Sequence, residues 1–223
     1  MNNLKYFHTT SNVCVDIMHD LLEGVCRYDM GYVLYEFIYN KKYFSLETLN
    51  RRIKYFDFHQ GVDTGNQIPQ LIKLQIKKKH LTMSAAEMLA LVVYFPFLVT
   101  NFIDTEDTCW TFYLLLYEIA YFTMKHEIDK SELIYLKHCI TEHNSLFIEI
   151  FNDNLRPKYH ILTHYVNIIK KMGPVNALSS MRFEAFHKIG KTNAHIVTSR
   201  VNLLQTLSLL YQLRVCHRLQ FKI

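Results

Sequence analysis

The stretch "SAAEMLALVVYFPFLVTNFI", residues 84–103, decides the fold class of this chain. Its apolar run could cross a bilayer or fill the core of a helical protein. A transmembrane helix needs about 20 mostly apolar residues. The run from Met88 to Ile103 is 16 residues long and carries Pro96, Thr100 and Asn101. Ser84 supplies a helix-start signal just before it. The expectation is therefore a buried helix kinked at Pro96, with no membrane contact.

Two more long helices follow from the same kind of signal, over 107–126 and 129–151, each beginning at an aspartate able to cap it. Upstream, residues 12–42 repeat Ile17, Leu21, Val25, Val33, Leu34, Phe37 and Ile38 at helical spacing. Leu46 to Phe58 continues helically, and "HQGVDTGNQIPQ" (59–70) is the clearest loop. "LIKLQIKKKHLTM" (71–83) suits a short helix or an extended strand equally well. Downstream, Pro157 opens "KYHILTHYVNIIKKM", which stops at Gly173-Pro174. A shorter helix after Ser180 and a last one over 199–219 complete the reading. There is no internal repeat and no low-complexity tract.

Composition agrees with a single mainly α domain over 1–223. Hydrophobic residues make up 50% and charged ones 20% of the 223 positions, which excludes a disordered chain. Six glycines and four prolines are too few for the many turns of an all-β domain. A net charge of +5 permits contact with nucleic acid without demanding it. The five cysteines (14, 26, 109, 139 and 216) form no C-x-x-C and read as reduced thiols of an intracellular protein. The amino end lacks the apolar core of a signal peptide, so the expected location is nuclear or cytoplasmic.

Two groups of residues carry chemistry. In "VDIMHDLLEGVC" (15–26), Asp16 and His19 lie three apart and leave one helical face. In "YHILTH" (159–164), His160 and His164 lie four apart, the register of a zinc-binding pair. Residue 161 is Ile, so the general base of an H-E-x-x-H metalloprotease is missing. Asp16, His19, His160 and His164 together would make a closed, structural Zn2+ site, with Cys14 and Cys26 near enough to substitute. With twelve histidines in the chain, the same spacings also suit histidines that only hydrogen-bond on a helix face. In "GPVNALSSMRFEAFHKIGK" (173–191), Glu184 stands among Arg182, His187, Lys188 and Lys191. That pattern fits a surface Glu184–Lys188 pair, or a carboxylate beside cations that follow a phosphate backbone. No Ser-His-Asp, Cys-His or phosphate-loop motif points to another enzyme.

Three blocks, "DIMHDLLEGVC", "PKYHILTHYVNIIKKMGPV" and "SMRFEAFHK", resemble in order the carboxy-terminal half of DDE transposases of the CACTA-like cut-and-paste group. The group is more distantly similar to Transib transposases and to the recombinase of antigen-receptor gene assembly. The resemblance covers most of the chain, weakly in the middle and specifically at the two ends. It implies a helical insertion over 12–156, followed by a His-pair helix, a Glu helix and a C-terminal helix over 157–223. It also implies a Zn2+ clamp at Asp16, His19, His160 and His164. Glu184, twenty residues after His164, becomes the third catalytic acid. The first two acids belong upstream of Asp16, and the fifteen residues there contain none. One carboxylate cannot hold two Mg2+ ions, so Mg2+ is expected only in an intact full-length enzyme. Most of the ribonuclease-H-like sheet is likewise expected to be missing.

The leading expectation is a transposase-derived remnant, inactive alone, that binds DNA backbone non-specifically through Lys170, Lys171, Arg182, Lys188, Lys191 and Arg200. The run Lys77–Lys79 belongs with these cations, although such a run is commonly a solvated face. The rival is an all-α protein-interaction module domesticated from a transposon, which recruits a protein partner or self-associates.

Overall fold

The computed structural model describes residues 14–58, 67–198 and 200–221, and these contain helices and no strand. The chain forms two compact units, Met1–Ser179 and Ser180–Ile223. The helices of 157–172 thus belong with the first unit.

The first unit is built around one continuous helix. It begins as a π-helical stretch (Met18–Val25), becomes α1 (Cys26–Tyr35) and ends as a π-helical turn (Glu36–Asn40). Ile17, Leu21, Leu22, Val25, Met30, Val33, Leu34 and Phe37 are wholly buried along it. The apolar spacing thus picks out the central element of the core, each large side chain contributing about 1.5–3 kcal/mol by leaving water. Around it lie α2 (Leu46–Tyr55), the short α3 (Lys73–Lys77), α4 (Ala85–Val99), α5 (Thr108–Met124), α6 (Lys130–Phe151), α7 (Pro157–Thr163) and α8 (Tyr165–Met172). The ambiguous 71–83 segment therefore resolves as a short helix. Asn50 pins its start by donating to the Leu71 carbonyl (3.0 Å) and accepting the Leu71 N–H (2.8 Å). The expected loop at 59–70 falls partly on residues 59–66, outside the described residues.

The capping signals are realised. Ser84 and Glu87 form a reciprocal capping box on α4, as do Asp129 and Glu132 on α6. Asp107 accepts the N–H groups of Cys109 (2.8 Å) and Trp110 (3.3 Å) at the head of α5. Asn152 ends α6 in the left-handed region at φ 47°, and Gly173 ends α8 at φ 87°. The stretch expected as one helix after Pro157 is two, divided at His164.

The stretch 85–102 has the length and hydropathy of a membrane span. Its Met88, Leu91, Val92, Phe95, Leu98 and Val99 are nevertheless buried against the other helices, which makes α4 a core helix. Pro96 lacks an N–H and so orphans the Val92 carbonyl four residues back. The Tyr113 hydroxyl of α5 donates to that carbonyl at 2.7 Å. A break in one helix is thus repaired by its neighbour, and burial raises the Tyr113 phenol well above its ordinary pKa.

The second unit consists of α9 (Met181–Ile196) and α10 (Leu203–Phe221). The shorter helix expected after Ser180 is α9, which runs for 16 residues. None of the described residues in this unit is buried.

Candidate functional site

Asp16 and His19 stand at the head of the central helix, where the carboxylate Oδ2 contacts the imidazole Nδ1 directly. The other Asp16 oxygen accepts the Met18 N–H at 3.1 Å, and the Asp16 N–H donates to Asp20 Oδ2 at 3.0 Å. Asp16 therefore closes the first turn as well as holding His19. The couple is solvent-facing, with the His19 side chain 47% exposed.

The start of α7 lies against this head. Lys158 Nζ donates to the His19 carbonyl at 2.6 Å and reaches Asp20 Oδ1 at 3.5 Å. Gly24 makes the approach possible, since a Cβ there would sit 3.0 Å from Lys158 Cδ and 2.9 Å from the His19 carbonyl oxygen. Tyr165 at the start of α8 is buried nearby; burial first, then the charges of Asp20 and Asp16, push its phenol upward. Its hydroxyl finds no partner among the described residues.

His160 and His164 are exposed and mutually hydrogen-bonded, Nε2 to Nε2, at 3.1 Å. Two nitrogens about 2.0–2.1 Å from one tetrahedral zinc would lie about 3.3 Å apart, so this couple can share an ion. The expected fourfold cluster is a different matter. Among the described residues no three His, Cys, Asp or Glu side chains gather as a metal would require. Asp16 with His19, and His160 with His164, are two two-donor couples. The reason lies in which face of α7 is apolar. Tyr159 and Leu162 turn into the core, so His160 takes the outer side while Lys158 reaches the head of the central helix.

The other expected residues are placed as follows. Lys170 and Lys171 are exposed on the last turn of α8, in the first unit. Glu184, in the first turn of α9, is exposed, as are Arg182, Lys188 and Lys191 on the same helix. Arg200 is exposed between α9 and α10. The cations expected to act together are therefore divided between the two units.

A third constellation is absent from the sequence reading. Asp29, His143 and Tyr159 have no solvent exposure and come from α1, α6 and α7. His143 Nε2 lies 2.9 Å from Asp29 Oδ2, and the Tyr159 hydroxyl donates to Asp29 Oδ1 at 2.5 Å. Phe112 stacks on the His143 ring at 4.5 Å. Burial, then the charge and hydrogen bond of Asp29, raise the Tyr159 phenol far above its ordinary range. Sequence separations of 114 and 130 residues hide this set from any spacing rule. The available signal was weak: Asp29 lies among the apolar residues Tyr28 and Met30 to Tyr35, where a buried acid would demand a partner.

Chemically, the surface couples can bind cations or share protons, whereas the buried set can only hold helices together. No family model, no curated protein and no solved structure matches this chain.

Proposed function

We propose that these 223 residues derive from a DDE cut-and-paste transposase, representing its helical insertion and closing Glu helix, and bind DNA backbone without cutting it. The observation that carries the reading is the distribution of charge. After Glu184 the remaining 39 residues hold six Lys or Arg and no acid. On the helices of that stretch the described cations Lys188, Lys191, Arg214 and Arg218 are all exposed. A polyanion is the natural partner of such a surface. The start of α7 reaches the head of the central helix through Lys158 and the His19 carbonyl, but His160 and His164 do not join Asp16 and His19, so the four-ligand clamp is no part of the reading. The structural zinc expected at Asp16, His19, His160 and His164 is not part of it, since two histidines supply only half of the four ligands such a site needs. Of the three acids that a pair of Mg2+ ions needs, the resemblance places only Glu184 within these 223 residues.

Titrating the full chain against a 30-base-pair duplex tests this. Binding should fall steeply with salt, the logarithmic slope approaching −0.9 per phosphate neutralised. Lys188→Gln with Lys191→Gln should flatten that slope by about 2. Salt-independent binding, or none at low salt, removes the proposal.

A second reading, an all-α protein-interaction module, is favoured by one fact: Phe183, Ile196, Leu204 and Leu219 are 70–85% exposed. A stable oligomer by sedimentation, with indifference to DNA, would favour it over the first.

A further inference from the structure

The run "KKKH" (77–80) reads as a solvated face, yet only Lys77 and Lys78 are exposed, while Lys79 and His80 are half-buried. Lys79 takes a left-handed φ of 51°, and the chain then presses onto α1 at Gly31. A Cβ on Gly31 would lie 2.5 Å from the Lys79 carbonyl carbon and 2.8 Å from the His80 nitrogen. Both obstacles are backbone, so only glycine permits this approach. The Leu81 N–H seals it by donating to the Arg27 carbonyl at 3.1 Å.

The approach lays cations along a row of tyrosines on one face of the central helix. Tyr28 is covered by Arg156, with Cζ 3.9 Å from the ring centre, and by His80 at 4.6 Å between centroids. One turn on, Lys79 Nζ lies 4.6 Å from the Tyr32 ring and 5.0 Å from the Tyr35 ring. Positions 28, 32 and 35 share a helix face, so the row advances about 1.5 Å per residue. Arg27 stands beside them, donating to the Met83 carbonyl at 2.7 Å and pairing with Glu23 at 3.2 Å. The charges do not cancel. Against Arg27, Lys77, Lys78, Lys79 and Arg156 stand Glu23, 3.2 Å from Arg27, Asp153, which accepts from Tyr32, and the buried Asp29, so cations outnumber acids.

Like charges held this close repel one another. The Nε atoms of Arg27 and Arg156 are also buried without a partner among the described residues. Buried donors left unpaired cost stability, so the arginines are not placed here for packing alone. A guanidinium stacked on a ring keeps its N–H fork in the ring-parallel plane, the geometry that grips phosphate oxygens. Burial first, then Arg27 and Arg156, lower the pKa of His80, and an imidazole in either protonation state keeps an N–H to offer an oxyanion.

We infer that Arg156, His80 and Lys79, arrayed along Tyr28, Tyr32 and Tyr35, form a phosphate-binding track that takes the backbone of a nucleic acid. The track lies within the first unit and rests on the DNA-binding reading above. With their faces already occupied by cations, the tyrosines are not platforms for bases, so the track is indifferent to sequence.

The experiment pairs duplex titration of the full chain with imidazole NMR, the His80 signal being identified with His80→Asn. DNA should move the His80 resonance. Lys79→Gln should weaken binding several-fold and flatten the salt slope by about 1. Lys77→Gln with Lys78→Gln, two exposed sites that leave the packing intact, should flatten it further. Tight DNA binding with a motionless His80 signal and silent 77, 78 and 79 variants overturns this track and leaves the DNA reading standing. A His80 response to inorganic phosphate but none to DNA overturns the backbone assignment, and the duplex titration alone then decides the DNA reading. No response to either ion or duplex removes the track outright.

Discussion

Two groups of the same residue types behave in opposite ways in the first unit. Asp16–His19 and His160–His164 are local, i to i+3 or i+4, and solvent-facing. Asp29, His143 and Tyr159 are assembled across more than a hundred residues and fully buried. Local spacing makes the first kind conspicuous in a sequence, but exposed side chains gain little from meeting, and the two couples remain apart. Burial compels the second kind to meet, because a lone acid in the core would carry an uncompensated desolvation cost. Conspicuous spacing and energetic importance are thus different properties.

The sharpest way to break this contrast is at Asp29. Asp29→Ala leaves His143 and the Tyr159 hydroxyl buried without their shared acceptor, and should cost about 3–5 kcal/mol in urea denaturation. A loss below 1 kcal/mol would mean the set is incidental. Tyr159→Phe removes one donor to Asp29 and keeps the ring packed, so a smaller loss of about 1.5–3 kcal/mol is expected by the same measurement.

Asp107 lies between the two extremes. Burial opposes its ionisation, but hydrogen bonds from Lys41, Tyr43 and the Cys109 N–H prevail and hold its carboxyl below the usual range. A depressed carboxylate stabilises the fold fully above its unfolded pKa of about 3.9. The contribution is lost as pH falls from there through the lower folded value. Asp107→Asn should therefore flatten the acid limb of a stability-against-pH curve and leave its neutral region parallel to wild type. An unchanged acid limb would show that Asp107 does not contribute to it.

The smallest effect belongs to the surface. His160→Ala should change stability without added metal by no more than about 0.5 kcal/mol. Added zinc should raise the melting temperature of wild type and of Tyr159→Phe, but not of His160→Ala, if the couple holds an ion. Equal zinc responses in all three would dissociate the metal from this pair.

Much of the fold was legible. Caps at Ser84, Asp107 and Asp129, proline at 157 and glycine at 173 act within a single turn, so their neighbours in sequence are their partners in space. The site was legible only in its parts. The His160–His164 register was readable, but not the apolar face of α7 that turns it outward. The lysines of 77–79 were readable as charge, but their reach onto α1 depends on a glycine 48 positions upstream of Lys79.

By itself, the sequence determined a mainly helical chain, its helix ends and its basic carboxy-terminal stretch, because capping, periodicity and charge are short-range or compositional. Only the tertiary structure decided that Asp29 meets His143 and Tyr159, that Tyr113 satisfies the carbonyl freed by Pro96, and that the Lys79 turn lies on a row of tyrosines. Those outcomes depend on which helix faces are driven together when apolar surface leaves water, and that choice is made by the whole core at once.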